Sequence, residues 1–238
     1  MPEYFLTTAL ILFSGAVIQG LSGFGGALFS MPLLLLYADK TWAAPVMVLC
    51  YAMNRIPALF LLRKTLMWNH SFLLIAAFIP GAFFGVWLLK ESGTEFIMRL
   101  LGSVLVLFAL YKAAAPRFNI IFSRLWALPA GFLSGVLGGA FGTDGPPVVV
   151  YAAIRPWTKE QVVGMLQSFF LLSNLIIILT YGYHGLLNIS VIRSALFSSP
   201  FAVGGILLGL KMNRRIQPRH FEIIFAVLLG AMGCFLWV

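Results

Sequence analysis

The sequence predicts an all-α protein that crosses a membrane several times. Three observations carry that reading. Of 238 residues, 61% are hydrophobic and 10% are charged, against about half and about a quarter in ordinary soluble domains. The mean hydropathy is +0.98. The apolar residues also run in stretches close to the roughly 20 residues that cross a hydrocarbon core as a helix. A soluble fold of this size has too little interior to hide that surface. A water-soluble enzyme, a disordered tail and a secreted disulfide scaffold are thereby excluded.

Eight apolar units follow in order: Tyr4–Tyr37, Trp42–Leu62, Phe72–Leu89, Phe96–Tyr111, Leu125–Ile154, Val162–Tyr183, Ile189–Leu210 and Phe221–Val238. The run from Tyr4 follows an acidic Glu3, lacks a basic leader and exceeds a signal peptide in length. It is expected to stay in the mature chain. The connections are short and hold most of the charge, so residues 1–238 read as one membrane domain. Cys50 and Cys234 both lie in apolar runs, and no metal-ligand spacing or cofactor motif is found.

Units one and five differ from the rest. As a single helix the first would reach about 51 Å, against a hydrocarbon core of about 30 Å. Each is interrupted by glycine, as Gly20-Leu-Ser-Gly-Phe-Gly-Gly26 followed by Pro32, and as Gly138-Gly-Ala-Phe-Gly-Thr-Asp-Gly-Pro-Pro147. Inside a helix glycine costs about 1 kcal/mol and proline about 3. Each unit is therefore expected to be two half-helices around a break, lined by protein or water.

The halves echo one another. A shift of 115 sets Gly20 on Gly135, Gly23 on Gly138 and Pro32 on Pro147. A shift of 120 sets Asn54 on Asn174, Pro80 on Pro200 and Gly85 on Gly205, and one of 119 sets Asn69 on Asn188. The expected organisation is a duplication, 1–119 and 120–238. The Gly-rich segment that runs into a proline and a branched apolar run, Gly20–Leu36 and again Gly135–Tyr151, resembles the TauE/SafE sulfite exporter family. The resemblance covers essentially the whole chain. It implies a prokaryotic cytoplasmic-membrane transporter of sulfite, sulfonates or related small organic anions.

The net charge of +9 comes from 16 Lys and Arg against 7 Asp and Glu. The basic residues fall between apolar runs without interleaved aromatics, so no nucleic-acid surface is expected. With eight crossings, the loop and helix-end basic residues divide 6 against 9. If units one and five enter and return, the division becomes 11 against 4, which the positive-inside rule favours. The halves would then be inverted, as in many secondary transporters.

The breaks are the first candidates for a substrate site. Half-helix N-termini present N–H groups to an anion. The residues concerned are Gly20, Ser22, Gly23, Gly25 and Gly26, then Gly139, Gly142, Thr143 and Gly145; the alternative for the glycines is tight helix packing. Asp144, an acid at membrane depth, reads as a proton- or Na⁺-coupling group or as a cap of its half-helix. Arg55 shares a helical face with Tyr51 and Asn54 and reads as an anion ligand or as a snorkelling cation. Gln167 and Asn174 share a face with Gly164, as site donors or as interhelical glue. His70, His184 and His220 sit at loop ends.

These features favour a gradient-driven secondary transporter of a small anion, since no GxxxxGK[ST] motif is present. An intramembrane serine protease is the rival, because Gly20-Leu-Ser22-Gly23 matches the GxSG of rhomboid proteases. It needs a histidine base on a neighbouring helix, and no histidine is mid-span. An anion channel is the third reading.

Overall fold

The computed structural model describes residues 5–62, 67–114, 123–213 and 218–237, with the side chains of 54–62, 69, 70, 159 and 218–222 outside that description. The described residues form α-helices and no strand. The helices are α1 (Phe5–Ser22), α2 (Gly26–Leu35), α3 (Lys40–Leu62), α4 (Trp68–Glu91), α5 (Thr94–Ala114), α6 (Ala127–Phe141), α7 (Gly145–Ala153), α8 (Lys159–Tyr183), α9 (Ile189–Asn213) and α10 (Pro218–Phe235). Five of them, α1, α4, α5, α8 and α9, are long and apolar enough to cross a membrane.

The outside differs from that of a soluble protein, although the interior is likewise mostly apolar. Large apolar side chains such as Phe72, Leu107 and Leu179 face outward. Ser30, Ser134, Ser173, Thr143, Asp144 and Asn174 lie inside. Lipid solvates the first set and cannot satisfy the second, so polar groups collect where helices face one another.

Glycine sets how closely the helices pair. α1 lies on α9, and α4 lies on α6. A Cβ at Gly20 would sit 2.6 Å from the Ile206 oxygen and 2.8 Å from the Leu210 nitrogen. Gly205 and Gly209 meet the carbonyls of Phe13 and Val17; Gly81 and Gly85 likewise meet those of Phe132 and Val136. α5 pairs with α10, where a Cβ at Gly102 or at Gly233 would sit 2.7 Å from the other's carbonyl oxygen. Without a hydrophobic drive between helices in lipid, such backbone approach supplies the packing. α1 thus rests on α9 and α6 on α4, while α3 and α8 meet each other.

Local chemistry fixes several ends. Thr158 and Gln161 form a capping box at the start of α8. The Lys40 ammonium is buried against the carbonyls of Leu89, Lys90 and Ser92, at the negative end of α4.

The two short helices turn back along their predecessors. A Cβ at Gly26 would meet the Gly15 oxygen at 2.6 Å. The Ser30 hydroxyl donates to the Ile11 carbonyl at 3.3 Å, and the hydroxyls of Tyr37 and Thr8 lie 3.0 Å apart. α7 likewise lies beside α6 across a groove lined by Pro129, Ala130 and Leu133 and by Val150, Tyr151 and Ile154. α1 and α6 end 119 residues apart, as do the starts of α2 and α7. The helix ends around the two breaks are thus spaced by 119 residues, whereas the glycine match is at 115. Pro32 is inside α2, whereas Pro146 and Pro147 open α7.

Candidate functional site

Both breaks are made by glycines in the left-handed region: Gly23 (φ 79) and Gly25 (φ 92), and Gly142 (φ 65). Other residues are strained there. At the end of α6 the Gly142 N–H donates to the Gly138 carbonyl at 2.8 Å, the bond of an αL-type stop, and the Thr143 N–H donates to that of Leu137 at 3.3 Å. At the end of α1 the Gly23 N–H donates to the Gln19 carbonyl at 2.7 Å.

The two breaks meet at one small cavity of about 40 Å³. A single water takes about 10–15 Å³ on this measure, so the space holds about three or four water-sized groups. Its wall consists of Gln19, residues 23–28 and residues 142–145, closed by Val48 and Tyr51 of α3 and by Phe170 and Asn174 of α8. Tyr51 is held in place by the Ser30 hydroxyl, 2.7 Å away, and by the Leu12 carbonyl at 3.4 Å.

The half-helices present different chemistry to this cavity. Gly25 precedes α2 with no side-chain cap, and the N–H groups of Gly26, Ala27 and Leu28 belong to its first turn. In α7 the corresponding positions are Gly145, Pro146 and Pro147, and the prolines have no N–H. The α2 end is a donor site; the α7 end has lost most of its donors.

Asp144 is 7% exposed and occupies the N-cap position of α7, yet its side chain makes no capping bond. The carboxylate instead accepts the hydroxyl of Ser173 on α8. Thr143 is 2% exposed, and its Oγ1 has no hydrogen-bond partner. The side-chain oxygen of Gln19 is buried without a partner as well.

Of the residues expected from sequence, Gly23, Gly25, Gly26, Gly142, Thr143, Asp144, Gly145 and Asn174 come together at the cavity. Gly20 and Gly139 lie instead in helix contacts, against α9 and α4. Ser22 turns its hydroxyl to the carbonyls of Ile18, at 2.8 Å, and Phe24. The bond to Ile18 is the i−4 back-bonding of a helical serine, and no base is paired with Ser22 among the described residues. Gln167 is half-buried on α8 away from the wall. The side chains of Asn54 and Arg55, on α3, lie outside the described residues. Sequence reasoning missed Gln19 and Ser173. The signal for Gln19 was an amide one residue before the glycine run, in an otherwise apolar helix.

A sequence profile described as Sulfite exporter TauE/SafE matches residues 8–236. A relative from Methanocaldococcus jannaschii, named "Probable membrane transporter protein MJ0441", is 23% identical over 258 aligned positions, which cover 98% of this chain and 97% of the relative. No solved structure matches the chain. With nearly its whole length matched and its apolar helices facing outward, the chain belongs to the TauE/SafE sulfite exporter family of multi-pass membrane transporters.

Proposed function

We propose that this chain is a secondary transporter of a small oxyanion, sulfite or a related sulfur-containing or carboxylate anion, bound between the two helix breaks. One observation carries the reading: breaks from opposite halves of the sequence share a single buried polar cavity. The α2 N-terminus supplies main-chain N–H groups and a positive dipole end. The Asn174 amide adds a side-chain donor at the same wall. Arg55 is proposed, from its place in the α3 sequence, as a further anion ligand.

In this reading the α1–α2 and α6–α7 pairs are re-entrant hairpins, and residues 1–119 and 120–238 are inverted repeats. Rocking of one repeat against the other would expose the cavity to each side in turn. Asp144 is the group that couples the anion to an ion gradient.

The test is counterflow in proteoliposomes. Vesicles preloaded with unlabelled sulfite should accumulate ³⁵S-sulfite transiently against its gradient, and sulfonates, thiosulfate and small carboxylates should compete according to their fit. Equilibration without overshoot would indicate a channel. No entry of any of these anions would end the proposal.

A further inference from the structure

We propose that the second break is a sodium site, formed by the Asp144 carboxylate, the Thr143 hydroxyl and the Gln19 side-chain oxygen, and that the anion travels with Na⁺. The proposal rests on the cavity being the anion site, and names the coupling ion that the site would take.

Two orphaned oxygens point to it. Thr143 Oγ1 and Gln19 Oε1 are both buried without a hydrogen-bond partner, and both residues line the cavity. A buried polar atom with no partner bears its full desolvation penalty. An amide oxygen only accepts, so its missing partner is a donor or a cation. The neighbouring carboxylate brings charge to the same wall. Together these are hard oxygen ligands from two broken helices, the kind of set that holds Na⁺ where unwound backbone lines a cavity.

The α7 end favours a cation for a second reason. Pro146 and Pro147 remove two N–H groups that would otherwise compete for the carboxylate or repel a cation. The first break keeps its donors. The two ends of one cavity are therefore complementary to an anion and to a cation, respectively.

Electrostatics requires the pairing. Asp144 is the sole charged residue among the described lining residues. An oxyanion and a carboxylate confined to about 40 Å³ repel strongly at low dielectric. A cation bound between them turns that repulsion into attraction, which is the physical basis of co-transport. A proton on Asp144 would cancel the charge but leave Gln19 and Thr143 unpartnered. A divalent ion takes several carboxylates, and no group of three acidic, His or Cys residues is found among the described residues.

Thermal unfolding of the purified full-length protein, without substrate anion, tests the site. NaCl, KCl and choline chloride are compared at constant chloride. Sodium should raise the unfolding temperature saturably, with potassium and choline ineffective. Thr143→Val, which keeps the shape, and Gln19→Leu should each raise the half-saturating sodium concentration at least tenfold, and Asp144→Asn should abolish the response. The proposal is overturned if the wild type shows no sodium-specific shift, or if the shift survives unchanged in Asp144→Asn and Thr143→Val. Should one variant fail to fold in choline, the wild-type ion comparison and the other variant still decide. The same scan with sulfite in choline on Asp144→Asn, which lacks the repelling charge, reports the anion site alone. A lost sulfite response with intact sodium binding counts against the anion reading, and the reverse counts against the sodium site.

Discussion

Replacing Ala27 by proline would remove one main-chain N–H from the anion site and leave nearly everything else in place. Ala27 is the second residue of α2 and lines the cavity. Proline is accepted in the first turn of a helix, where the N–H has no intrahelical partner. The protein already demonstrates this: α7 begins Gly145-Pro146-Pro147, and Pro146 holds in α7 the place Ala27 holds in α2. The residue before the new proline would be Gly26, whose lack of a Cβ eases the restriction that proline imposes. The fold should therefore survive. A hydrogen bond to a charged group is worth about 1.5–3 kcal/mol, so the dissociation constant for sulfite should rise roughly 10- to 150-fold. Calorimetric titration of purified protein would measure it. Ala27→Gly is the control, because it removes the methyl group and keeps the N–H; its affinity should stay within about threefold of wild type, well below the loss of one charged hydrogen bond. A folded Ala27→Pro protein with wild-type affinity would refute the idea that the α2 N-terminus holds the anion.

Four further outcomes are expected. Gly20→Val should destabilise the protein by about 1–3 kcal/mol, because the new side chain meets backbone of α9 that cannot move without lifting α1. Gly204→Val, on the exposed side of α9 with nothing within 4 Å of its Cβ position, is the neutral comparison in the same denaturation assay. A C-terminal reporter should be active outside the cytoplasm, in keeping with the 11-to-4 division of basic residues; activity confined to the cytoplasm would sink the paired-hairpin topology. Arg55→Ala should lose anion binding while still inserting, with partial rescue by Arg55→Lys, which lacks the planar fork; normal transport would mean that Arg55 snorkels. Asp144→Asn should keep anion binding and lose gradient-driven accumulation in proteoliposomes, and unchanged accumulation would make the carboxylate structural.

Composition sufficed for the class of protein, because no soluble packing hides this much apolar surface. The existence of two breaks was legible too, since clustered glycine and proline are costly in any helix interior. Their register was not. In apolar sequence one glycine looks like another, and the 115-residue match set Gly20 on Gly135 and Gly23 on Gly138. The structure separates two uses that the letters merge. Gly20 and Gly139 let helices touch, while Gly23, Gly25 and Gly142 reverse the chain at positive φ. Only the second use defines the break, and the helix ends around the two breaks are spaced by 119 residues.

Side-chain roles at the site were hidden for a related reason: they depend on partners far along the chain. Ser22 looked like a donor to an anion, but its hydroxyl bonds back to the Ile18 carbonyl one turn earlier and to the Phe24 carbonyl inside the break. Asp144 read equally as a cap or as a coupling group. The structure speaks to the cap alone: the side chain makes no capping bond and accepts the Ser173 hydroxyl from another helix. Gln19 carried no motif at all. It stands out once the fold shows that its oxygen is buried without a partner at the edge of the cavity. Chemistry of this kind is set by what the neighbouring helices fail to satisfy, and that quantity does not exist until the helices are packed.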